Sequence, residues 1–210
     1  MIHSFTDKIA LVTGAGQPPG AAAAQALAQA GASLVINDLN PDRAERTAQA
    51  VREMGGRAIA ITADVANKFQ CVHLIETARM EYGRLDILIN AMSVRPEMPL
   101  LKMDEWDWQR VMDVNVKGVF FMSQLCDRVF VNQNELTGQK QGGVIINLGT
   151  TWDAPPYQAA YTASQAALHG LTLACGRELT EHGVKVHLFF TDGLTVENAA
   201  AQILALCQLG

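Results

Sequence analysis

An apolar run at residues 9–13 leads into Thr13-Gly14-Ala15-Gly16-Gln17-Pro18-Pro19-Gly20, and an alanine-rich stretch follows. Glycines between a strand and a helix let the backbone turn tightly and approach a pyrophosphate, whose charge is met by the helix N-terminus. Asp38 ends the next apolar run, 18 residues after Gly20, where a carboxylate can accept hydrogen bonds from an adenosine ribose. That carboxylate also repels a 2′-phosphate, so these features predict NAD in preference to NADP. A glycine turn alone is a weak signal. In a strand–helix–strand unit with the acid in place it is a strong one.

The elements that would position these residues alternate along the chain. Short apolar, β-branched runs at 9–13, 33–37, 58–62, 87–90, 144–148 and 184–190 predict strands. Longer amphipathic stretches at 21–30, 41–54, 68–82, 104–130, 159–182 and 196–207 predict helices. Strands that are apolar throughout are covered on both faces, so the alternation predicts an α/β fold with a doubly wound parallel sheet. Asp104 can cap the helix that follows it, and Gly31, Gly55 and Gly83 can close three others. The polar segment 132–143 reads as a loop.

At 210 residues, with 49% hydrophobic and 18% charged residues, the chain is expected to form a single globular domain over 1–210. Sixteen Lys+Arg against 21 Asp+Glu give a net charge of −5, which argues against a nucleic-acid surface. Residues 1–6 lack the basic start and apolar core of a leader, and the charge-free run 14–37 carries glutamines and prolines. No membrane association is therefore expected, and a cytoplasmic location is the default. Cys71, Cys126, Cys175 and Cys207 have no C-x-x-C spacing and are expected to be buried thiols. The five histidines show no ligand-like grouping, so no metal is expected. Trp106 and Trp108 are expected to pack between helices or subunits.

Further along stand Asp64-Val65, Leu88-Ile89-Asn90-Ala91, Asn115 within the 104–130 stretch, and Tyr161-Thr162-Ala163-Ser164-Gln165. On these motifs the chain resembles the short-chain dehydrogenase/reductase family from residue 5 to about 193. The resemblance implies a three-layer Rossmann-type sheet of about six strands in the order 3-2-1-4-5-6. It also implies hydride transfer between a nicotinamide cofactor and a carbonyl or alcohol. Gly14, Gly16, Gly20, Asp38, Asp64, Val65 and Asn90 fall at the family's cofactor-binding positions. Tyr161 matches its acid/base tyrosine, Thr150 its serine and Asn115 its helix asparagine.

The departures from the family pattern bear on activity. Pro18 replaces a glycine of the phosphate loop and Pro19 follows it, removing two N–H groups. A hydrogen bond to a charged phosphate contributes about 1.5–3 kcal/mol, so losing one weakens binding roughly 10- to 150-fold. Gln165 stands where the family has the lysine that favours the tyrosinate, and an amide cannot supply that charge. Thr150 precedes Tyr161 by 11 residues, fewer than is usual in the family. Met92 replaces an alanine beside the adenosine, and Asp192 places a carboxylate near the phosphates. Little room is left for the family's substrate-covering loop, and none for its seventh strand. The expectation is a scaffold for NAD-linked oxidoreduction with weakened dinucleotide binding and impaired or lost activity. The alternative is an active NAD-dependent enzyme using Tyr161, Thr150 and Asn115 on a small carbonyl or alcohol. A homodimer through residues 104–130 and 159–182 is expected, with Phe120, Phe121, Met122 and Leu125 facing Ala163, Ala166, Ala167 and Leu171. The last helix is expected to cover the edge of the sixth strand.

Overall fold

A computed structural model describes residues 5–138, 142–151 and 155–208. Residues 1–4, with His3 and most of the segment assessed for a leader, lie outside the described residues, as do 139–141 of the expected loop. Strands β1 (Ile9–Thr13), β2 (Ser33–Asp38), β3 (Ala58–Thr62), β4 (Ile87–Asn90), β5 (Gly143–Gly149) and β6 (Val184–Phe190) form one sheet. Their order is β3-β2-β1-β4-β5-β6, with every neighbouring pair parallel. The predicted fold class and strand order are therefore correct.

Successive strand residues point to opposite faces, and the apolar runs feed two cores. Val12, Ile36, Ile89 and Ile146 pack beneath α1 (Gly20–Gln29), α2 (Pro41–Glu53) and α7 (Val196–Cys207). Their neighbours Leu11, Val35, Leu88 and Ile145 pack beneath α3 (Lys68–Tyr82) and α5 (Val119–Thr137). Burying one such side chain contributes about 1.5–3 kcal/mol, which is why neither face tolerates polar alternation. Asn40, Asn67, Asp104 and Thr195 cap the helices that follow them through side-chain oxygens. Gly31, Gly55 and Gly83 follow α1, α2 and α3 with positive φ, as expected.

Several expectations need correction. The 104–130 stretch is not one helix: α4 (Glu105–Met112) passes through a π-helical segment, Asp113–Gly118, into α5. The wider turn brings Gly118 against β3's exit, where an added Cβ would lie 2.8 Å from Val65 Cγ2. The polar segment from 132 onward continues as helix to Thr137, because its side chains bond neighbouring backbone. Gln133 exchanges two 2.8 Å hydrogen bonds with the Leu85 backbone, and Asn134 donates to the His182 carbonyl. Met122 and Leu125 face the core instead of a partner. The last helix packs on α1 and β5 through Ala199, Ile203 and Cys207, so it lies on the sheet face instead of along β6's edge. Cys71, Cys126 and Cys207 are buried, but Cys175 is only half-buried. Burial pushes the Cys71 thiol up to about 11 and Cys207 up to about 12, leaving both poor nucleophiles.

Beneath the strand ends runs a buried polar chain. Asn90 donates to Asn147 Oδ1 at 2.8 Å, and Asn147 donates to Thr172 Oγ1 at 2.9 Å. The third residue, Thr172, belongs to α6 (Ala159–Leu179), so the chain links β4, β5 and that helix. Asn147→Ala leaves the Asn90 amide without its acceptor and Thr172 without its donor. The expected cost is about 1–3 kcal/mol, read as a lower midpoint in urea denaturation with an unchanged slope.

Candidate active site

The strand order reverses between β1 and β4, and a crevice of about 330 Å³ opens at their carboxyl ends. Gly14, Pro18, Pro19, Asp38, Asp64 and Met92 are among its lining residues. Gly14 has φ +64°, and a Cβ there would lie 2.6 Å from the Met92 amide nitrogen. A Cβ on Gly16 would meet the Asp38 carboxylate at 2.5 Å. Gly14 is thus required by close backbone approach, and Gly16 by the Asp38 and Arg43 side chains packed against it. Gly20 opens α1, while Pro18 and Pro19 precede it joined by a cis peptide bond.

The cofactor positions take up distinct roles. Asp38 is buried and accepts from the Gly16 amide at 3.1 Å, the Asn40 amide at 2.9 Å and both Nε and Nη2 of Arg43. Asp64 lines the crevice and pairs with Arg110 at 3.0 Å. Arg43 and Arg110 were not picked out in the sequence, where i+5 and long-range partners carry no motif. Val65 is 2% exposed, with its side chain in the core and its carbonyl accepting from Cys71. Asn90 is held in the buried polar chain, and Asp192 turns to accept the Thr151 N–H. These positions fit an adenosine ribose at Asp38, with a phosphate cradle poor in N–H donors.

The reacting end is built from β5, the π-helical segment and α6. Thr150 Oγ1 and Tyr161 Oη lie 3.0 Å apart despite the short spacing between them. The Gln165 side chain, 4% exposed, accepts the Thr150 N–H at 2.9 Å and so ties α6 to the end of β5. Asn115 clamps Val94 through both its N–H and its carbonyl, at 2.8 and 2.9 Å, and donates to Ser164 at 3.0 Å. Ser164 in turn donates to the Tyr161 carbonyl at 2.7 Å. Tyr161 is 7% exposed, and the Arg95 guanidinium lies over its ring at 5.0 Å. Because Val94 also lines the crevice, this clamp joins the reacting end to the nucleotide end. The arrangement can hold a carbonyl oxygen between two hydroxyls, one of which can deliver a proton.

Comparison with known proteins is consistent with this geometry. Residues 8–202 match the family model for short chain dehydrogenase. A 2-dehydro-3-deoxy-D-gluconate 5-dehydrogenase of Dickeya dadantii is 32% identical over 201 residues, covering 94% of this chain and 76% of the relative. An NAD+-bound xylitol dehydrogenase superposes with a TM-score of 0.82 at 28% identity, covering 89% of this chain and 70% of that one. A metagenomic short-chain oxidoreductase in complex with NADP gives 0.88 at 25% identity, covering 97% and 91%. With residues 8–202 matched by the family model and a relative 32% identical along most of both chains, the chain belongs to the short-chain dehydrogenase family.

Proposed function

We propose that this chain is an oxidoreductase scaffold for nicotinamide-linked hydride transfer on a small carbonyl or alcohol. The observation that carries the reading is the 3.0 Å pair of Thr150 and Tyr161 hydroxyls beside the crevice. A bound nicotinamide would supply or accept the hydride at carbon. In the reducing direction Tyr161 would give its hydroxyl proton to the carbonyl oxygen, which becomes the hydroxyl of the alcohol product. Thr150 polarises that oxygen, Gln165 holds Thr150 in place, and Asn115 with Ser164 fixes the Tyr161 backbone. With an amide at 165, no ammonium assists proton transfer from that position. Turnover is therefore placed well below that of a chain carrying lysine there.

Support for NAD over NADP comes from the Asp38 carboxylate at the ribose position, partly offset by its ion pair with Arg43. Support for weak affinity comes from the two prolines at the phosphate turn and from Asp38 occupying the Gly16 N–H. Xylitol dehydrogenase and the gluconate-type relative act on small polyhydroxylated molecules by name, which fits a small polar substrate. The proposed homodimer uses 104–130 and 159–182, now through outward residues. Trp106 is 72% exposed and Phe120 and Leu173 are also exposed, so these helices carry apolar surface that pairing would cover.

Three outcomes test the reading. Fluorescence titration is expected to give a dissociation constant nearer millimolar than micromolar for NADH, about −4 instead of −8 kcal/mol, and weaker binding of NADPH. Micromolar NADH binding would remove the argument from the prolines. Tyr161→Phe is expected to lower turnover by at least ~100-fold on a carbonyl panel while its thermal midpoint stays near the parent's. A variant as active as the parent would show that this hydroxyl is not the proton donor. Light scattering is expected to show a dimer, with Trp106→Glu shifting it toward monomer.

A further inference from the structure

Three arginines stand around the two ends of the site, and two of them are neutralised. Arg43 pairs with Asp38 at 2.9 Å and Arg110 with Asp64 at 3.0 Å. Arg95, in the loop after β4, is exposed and forms no ion pair among the described residues. Its orientation is nevertheless set. Nε donates to Gln158 Oε1 at 2.8 Å, and Gln158 is 4% exposed at the start of α6. The guanidinium also rests over the Tyr161 ring, 5.0 Å from its centroid.

With Nε committed to Gln158, the hydrogen-bonding capacity left to Arg95 is the edge carrying its two terminal nitrogens. A guanidinium edge held in a fixed plane is matched to the two oxygens of a carboxylate. Tyr161 itself lies in the first turn of α6, which holds no acidic residue and takes no side-chain cap, so the positive end of that helix is at the same place. Glu97 accepts from Gln158 Nε2 at 3.3 Å, and Asp192 accepts from the Thr151 amide.

We propose that Arg95 is a substrate-binding residue that selects carbonyl or alcohol substrates bearing a carboxylate, anchoring the acid while Thr150 and Tyr161 engage the reacting oxygen. This rests on the oxidoreductase reading for the second half of the statement. The first half, an anion site at Arg95, stands independently of turnover.

The test pairs 4-oxocyclohexanecarboxylate with its primary amide on the full chain. Binding is followed by ligand-observed NMR without cofactor, and reduction is followed with NADH. The parent is expected to bind the acid at least tenfold more tightly than the amide, with a preference that falls as salt is raised. Arg95→Gln is expected to erase that preference, and Arg95→Lys to restore part of it. Where turnover is measurable, Arg95→Gln raises KM for the acid with little change for the amide. Equal binding of acid and amide by the parent overturns the proposal, as does an Arg95→Gln variant that keeps the preference. A preference for the acid with no turnover on either compound leaves the anion site standing and rejects this acid as the substrate that Thr150 and Tyr161 engage.

Discussion

The hydrogen bond from the Thr150 amide to the buried side chain of Gln165 is the constraint on which the reacting end depends. Thr150 is the first residue past β5, where a chain leaving a sheet has no ladder to hold it. Gln165 lies one turn along α6 from Tyr161, so its bond to Thr150 also sets the distance between the two hydroxyls. The neighbouring Asn115–Ser164–Tyr161 contacts fix the same helix turn from the other side, and the π-helical segment brings Asn115 into reach. A neutral amide does here what a cation could not, since an ammonium has no acceptor for a backbone N–H. Under the proposed function, the residue that withholds a cation from the tyrosine is the residue that holds the Thr150 backbone beside it.

Charge is distributed unevenly over the crevice. At the nucleotide end each cation is balanced by a carboxylate, so Asp38 and Asp64 are held in defined orientations by Arg43 and Arg110. Both arginines remain partly exposed to water, and the consequence of the two pairs is positional. Asp38 also takes the Gly16 amide, which binds the glycine turn to the end of β2. At the reacting end the balance differs, because Arg95 is oriented by an amide and an aromatic face and not by an acid. The two ends share one backbone, the Val94 segment, but carry different electrostatic characters.

Much of this was legible from the chain alone. The six strands, their parallel sheet and the glycine turn with its acid follow from local chemistry: apolar runs need two covered faces, and a tight turn needs glycine; the strand order followed from the family resemblance. The capping of α4 by Asp104 was equally local. The broken helix at 113–118, the helical course of 132–137 and the seat of the last helix were not legible. Each is decided by partners distant in sequence, Val94 and Val65 for the first, Leu85 and His182 for the second, and α1 for the third. The same holds for the site. The family resemblance identified Tyr161, Thr150 and Asn115 as candidates, although the 11-residue Thr150–Tyr161 spacing is shorter than the family's. Only the tertiary structure brought them to 3.0 Å, turned Gln165 from a missing charge into a clamp, and set Arg95 over the tyrosine ring. Local patterns determine which residues enter strands and turns, because those depend on neighbours along the chain. Which side chains meet across the sheet end depends on packing between elements, and no spacing rule encodes it.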